Sequence, residues 1–131
     1  MKINEVIVKE HKLSKEEREE TIKDFIKFVR EKLHVKDPVG IDFSYDVEDA
    51  EREHHTGSYN RFTHRMWVYM HERNLVDILR TIAHELQHVK QGHEGRLHQK
   101  SPPGSKIEGE ADAVAGWLIK LYGKDHQYIY E

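Results

Sequence analysis

From Leu75 to Val89 the apolar residues Leu75, Ile78, Leu79, Ile82, Leu86 and Val89 return at intervals of three and four. That spacing places them on one stripe of an α-helix and rules out a strand, whose side chains alternate every two residues. So continuous a stripe has to be buried, and the segment therefore predicts an amphipathic helix packed into the core. Asn74 with Asp77 predicts where the helix starts, and Gly92 where it stops.

The same helix carries His84-Glu85-Leu86-Gln87-His88. Residues four apart share a helix face, so both imidazoles can close on one metal ion. Neutral imidazole suits Zn²⁺, and one further ligand would leave a position open for water. Glu85 is rotated by about 100° from His84, near the ion without having to bind it. It can take a proton from a water held there. Two histidines on a solvated helix face give the same letters, and with 11 histidines among 131 residues the pattern arises by composition alone in roughly one such chain in ten. These two lie beside the apolar stripe, where a partly buried site forms.

After the break at Pro102-Pro103-Gly104, Ser105 to about Tyr122 predicts another helix, with Ile107, Ala111, Val114, Leu118 and Leu121 as its apolar face. Glu108 and Asp112 fall one turn apart on a common face. One carboxylate there can supply a third zinc ligand, and the other can accept a hydrogen bond from the far nitrogen of a ligating histidine. Glu110 is expected on roughly the opposite side and is the reserve ligand. Ser105-Lys106-Ile107-Glu108 is also a capping box, a competing use for the Glu108 carboxylate.

His84-Glu85-x-x-His88 followed by Glu108-x-x-Ala111-Asp112 resembles the gluzincin pattern of zinc metallopeptidases. More narrowly it resembles the short minigluzincins and the small ImmA/IrrE-like domains, over roughly Arg65 to Tyr122. The resemblance implies that His84, His88 and Glu108 bind zinc, that Glu85 is the general base of peptide-bond hydrolysis, and that Asp112 supports a histidine. It also implies that Arg65-Met66-Trp67-Val68-Tyr69-Met70 is the edge strand before the active-site helix. An extended peptide or protein substrate would add to the free edge of Arg65–His71. The donor to the developing oxyanion is to be sought among Tyr59, Tyr69, His93, His98 and Tyr122. The chain has little room for a second subdomain, which suggests latency or tight selectivity, with 1–13 or 123–131 covering the zinc.

Two other zinc schemes meet the same letters. The metzincin pattern needs Gly and His where this chain has Gln91 and Glu94, with Gly92 and His93 each out of register by one. His98 could complete a site of SprT type, from a segment with no regular pattern. A zinc-binding interaction module without peptidase activity, a purely structural zinc and surface histidines without metal are the remaining functional alternatives.

The rest of the chain predicts a single α+β domain spanning 1–131. Residues 1–13 read as a short strand or loose arm and 123–131 as a tail. Ser14-Lys15-Glu16-Glu17 is a capping box opening a helix to about Leu33, with Ile22, Phe25, Ile26, Val29 and Leu33 on its buried face. Ile41, Phe43, Tyr45 and Val47 alternate as a half-buried strand. Glu48 to His55 reads as an acidic loop whose His54-His55 pair has no partner spacing for a site. Thr56–Thr63 and Arg65–His71 read as strands. The expected architecture is a small antiparallel or mixed sheet of about three strands packed on the N-terminal helix, the HExxH helix and the glutamate helix.

Composition bears on the setting. The absence of cysteine excludes disulfides and thiolate metal sites. A net charge of −3 gives no argument for nucleic acid. No apolar run reaches the ~18–20 residues of a membrane span, and no signal-peptide core is apparent. The expectation is a cytoplasmic protein, in the host's cytoplasm where a phage encodes it, with its oligomeric state open.

Overall fold

The computed structural model describes residues 13–53, 55–97 and 105–131. The expectations for most of the N-terminal arm, for His54 and for His98 lie outside them. The described elements are α1 (Lys15–Leu33), β1 (Gly40–Ser44), α2 (Val47–Glu53), β2 (Gly57–Asn60), β3 (Arg65–Tyr69), α3 (Leu75–His93), α4 (Lys106–Gly123) and a 3₁₀ turn (Gln127–Tyr130). This is the expected α+β arrangement, with a mixed three-stranded sheet.

The local chemistry of α1 follows its letters. Ser14 Oγ accepts from Glu17 N at 3.1 Å, and the Glu17 carboxylate accepts from Ser14 N at 2.9 Å. Both halves of the capping box are made, satisfying donors that a helix start leaves open. Thr21, Ile22, Phe25, Val29 and Leu33 face the core, and His34 ends the helix in the left-handed region at φ 57°. A seven-residue helix, α2, replaces the expected acidic loop. Asp46 Oδ1 accepts from Glu48 N at 2.9 Å, a local cap for its first turn. None of its residues is buried, so it has no apolar stripe to be recognised by. Strand β1 ends at Ser44, short of Tyr45 and Val47, which are 59% and 46% exposed.

The sheet order is β1-β3-β2, with β1 parallel and β2 antiparallel to β3. Arg65–Tyr69 is therefore the central strand and not an edge. Ile41 and Tyr59 pair on either side of Met66, and the buried Met66 and Val68 turn the inner face of β3 toward the helices. The edge beside the site helix belongs to β2. A Cβ at Gly57 would overlap the Thr81 methyl and lie 3.2 Å from Glu85 Oε2. Only glycine lets β2 lie this close to α3.

Helix α3 is the hub, packing on α1, α4, β2 and β3. Leu75, Leu79, Ile82, Leu86 and Val89 are all fully buried. Asn74 holds the cap position without a side-chain cap bond, and Asp77 pairs with Arg80 at 3.2 Å. The helix runs through Gly92 to His93, and Gly95 takes the left-handed conformation at φ 72° that the stop requires. Helix α4 buries Ala111, Ala115, Leu118, Ile119 and Tyr122. Val114 and Leu121, expected on that face, are only partly buried because the stripe is rotated by one position.

The tail does not cover the histidines. Ile129 is fully buried in the core, the His126 ring stacks on Tyr122 at 3.8 Å, and Glu131 pairs with Arg18 at 3.2 Å. No described helix is long and apolar enough to cross a membrane.

Candidate metal centre

Helix α3 presents His84 and His88 one turn apart, and α4 crosses it so that Glu108 meets both. His84 Nε2 lies 2.9 Å from Glu108 Oε2 and 3.1 Å from His88 Nε2, and His88 Nε2 lies 3.3 Å from Glu108 Oε1. The structure thus brings the three expected ligands together, and they form a group able to hold a metal ion. Donor atoms placed tetrahedrally about 2 Å from a common centre lie about 3.3 Å apart, so the observed separations fit that set. Nitrogen and carboxylate oxygen are also the donor chemistry that zinc accepts.

The surrounding groups aim these donors. Asp112, as expected, sits behind His84, with Oδ1 2.9 Å from Nδ1. A carboxylate only accepts, and Glu108 Oε2 lies equally near Nε2; once a cation holds Glu108, the Asp112 bond keeps the proton on Nδ1 and leaves the His84 Nε2 lone pair for the centre. Glu108 N donates to Ser105 Oγ at 3.3 Å, yet the Glu108 carboxylate goes to the histidines. The competing capping role is half made, by the backbone alone.

Glu110 departs from expectation. Its carboxylate returns to α3 instead of pointing away, accepting from Gln87 Nε2 at 2.8 Å and from Arg96 at 2.9 and 2.6 Å. The Arg96 guanidinium holds its pKa down at about 2. Glu110 is a helix–helix tie and not a reserve ligand. His88 has a partner that the sequence reading missed: Gln91 Oε1 lies 2.7 Å from Nδ1. The available signal was spacing, since Gln91 follows His88 by three residues and shares its face.

Glu85 is 6% exposed and lies against β2 at Gly57. Burial pushes its pKa up to about 8, and the nearby Glu108 and Asp112 carboxylates add to the shift. A carboxyl group that titrates near neutrality can both take and return a proton.

A cleft of about 500 Å³ opens from His84 and Glu85 along the first half of α3, and His55, Arg73 and Arg80 also line it. Arg73 is anchored at 2.9 Å to Tyr69 O and 2.9 Å to Thr81 Oγ1. Of the expected oxyanion donors, Tyr59, Tyr69, His93 and Tyr122 are not among the cleft-lining residues. Tyr122 is committed to Asp24 at 2.7 Å, and burial raises its pKa. His93 lies 3.4 Å from Asp37. Among the donors that do line the cleft, His55, Arg73 and Arg80 carry no sequence pattern that marks them.

Compared with protein-family models, curated proteins and solved structures, the chain matches none.

Proposed function

We propose that this chain is a zinc-dependent peptidase of gluzincin type, with His84, His88 and Glu108 holding the ion and Glu85 as general base. The observation that carries the reading is the meeting of three metal-ligating atoms from two helices beside a buried carboxyl whose pKa lies near 8. Bound zinc supplies a Lewis acid that activates water and polarises a carbonyl. Asp112 holds His84 in the ligating tautomer. Glu85 takes a proton from the attacking water and returns it to the departing amine. His55, Arg73 and Arg80 line the cleft, and the donor to the developing negative charge is to be sought among them. An extended peptide adds to the edge of β2, with Gly57–Asn60 in the role expected of Arg65–His71. The setting proposed is cytoplasmic.

Metal content measured by mass spectrometry tests the ligand set. Wild type is expected to carry one zinc per chain, with loss or marked weakening in His88→Ala and Glu108→Ala. No zinc in the wild type after reconstitution overturns the proposal. Peptide cleavage tests the base: Glu85→Gln should keep zinc and lose activity by about 10²-fold or more. A wild type that binds zinc and cleaves no member of a diverse peptide library is a zinc-binding interaction module instead.

A further inference from the structure

Behind His88 lies a buried polar chain that the proposed chemistry does not use. Gln91 is fully buried. Its Nε2 is 3.1 Å from the Ile107 carbonyl oxygen and 3.3 Å from Glu110 Oε1. Both oxygens only accept, so the amide NH₂ group must point at them. That fixes the other end of the amide: Oε1 faces His88 Nδ1 at 2.7 Å, and Nδ1 has to donate. Glu110 is itself held by Arg96 at 2.6 and 2.9 Å and by Gln87 at 2.8 Å. Arg96 N in turn donates to Gln91 O at 2.9 Å, closing the loop that leaves α3.

We infer that Gln91, locked by Glu110 and Arg96, is a positioning residue that keeps the proton of His88 on Nδ1 and its Nε2 lone pair toward Glu108 and His84. The inference rests on the zinc-site reading and assigns its second imidazole a dedicated partner. Two competing acceptors exist: His84 Nε2 lies 3.1 Å and Glu108 Oε1 3.3 Å from His88 Nε2, and either would draw the proton to the nitrogen that must bind metal. The shorter contact to Gln91 decides the tautomer. The two histidines are therefore set differently, His84 by a carboxylate whose side chain is 75% exposed and His88 by a buried neutral amide. In Gln91→Leu the ring is released to its other tautomer, with a proton where the ion belongs.

The test has two readouts. Ring ¹⁵N resonances of the metal-free protein, at a pH where His88 is neutral, should show the Nδ1–H form in wild type. Gln91→Leu should lose that form. Zinc affinity, measured by competition with a chelator, should fall 10- to 100-fold in Gln91→Leu. An Nε2–H ring in wild type overturns the inference, and that spectrum needs no variant to fold. So does a Gln91→Leu protein with unchanged tautomer and affinity. Nδ1–H in a wild type that takes up no zinc would support the positioning while sinking the peptidase, so the two failures are distinct.

Discussion

Replacing Glu85 by glutamine should make the metal-free protein more stable at neutral pH, by an amount that grows with pH. In the fold the carboxyl is pushed up to about 8, first by burial and then by Glu108 and Asp112, whereas its ordinary value is 4.5. The folded chain therefore holds a proton that the unfolded chain has released. That contribution is fully present below about pH 4.5 and is lost as pH rises through about 8. Each pH unit within the window costs the fold about 1.4 kcal/mol. Between pH 5 and pH 7 the loss is on the order of 2–3 kcal/mol. Glutamine has nearly the same shape and no charge, so it removes the dependence. For a chain of this length, about 3–4 °C of Tm accompanies each kcal/mol. Thermal melts of both proteins in chelator at pH 5, 6, 7 and 8 should therefore show a Tm gap that is small at pH 5 and wider by roughly 10 °C at pH 7. Parallel curves would refute the argument, since they would mean that Glu85 ionises in the fold as freely as in the unfolded chain. Zinc should narrow the gap, because a neighbouring cation favours the carboxylate.

Gly57→Ala should destabilise the protein by about 1–3 kcal/mol, as overpacking does. Thr81→Ser, which removes the overlapping methyl and keeps the hydroxyl bonded to Arg73, should restore much of that in a double-mutant melt. Leu86→Ala, inside the motif but fully buried, should cost about 2–5 kcal/mol by chemical denaturation. Its zinc stoichiometry should stay at one per chain wherever it is folded. Free zinc at 100 times its dissociation constant should stabilise wild type by about 2.7 kcal/mol, with no matching rise in His88→Ala.

What the letters disclosed about this chain is what helical geometry keeps local. His84 and His88, or Glu108 and Asp112, are brought onto one face by a single helix turn, so their spacing carries the information. The crossing of α3 and α4 that joins the two pairs is not local, and the metal-site pattern anticipated it only through a resemblance. Strand order was hidden for the same reason. Nothing in Arg65–Tyr69 states that it is flanked on both sides, because the flanks lie at Gly40–Ser44 and Gly57–Asn60. Helix α2 escaped notice because it buries nothing. Gly92 and Gly95 are the same letter, and only the φ of 72° at Gly95 distinguishes a helix stop from a helix residue. The place of Glu110 is not legible locally because its partners Arg96 and Gln87 belong to another part of the chain.

The two Ser-x-x-Glu sequences show how much context adds. At Ser14 the third-position carboxylate of Glu17 folds back to the cap. At Ser105 the same arrangement keeps the backbone bond but sends the Glu108 carboxylate to two imidazoles. The difference is what stands opposite each helix start: Glu17 bonds its own cap, whereas α4 begins against α3. Glu108 also occupies the first turn of α4, where the helix dipole favours an anion. Glu85, in the middle of α3 and buried beside β2, meets the reverse conditions and holds its proton up to about pH 8. Burial beside β2 thus keeps a proton on one glutamate, while the other stands at a helix start beside two imidazoles. That division suits one to bind a cation and the other to carry a proton. Disturbing each environment in turn, by Gly57→Ala pressing on Glu85 or by loss of the Arg96–Glu110 tie between α4 and the loop after α3, should lower peptide cleavage in the first case and zinc affinity in the second.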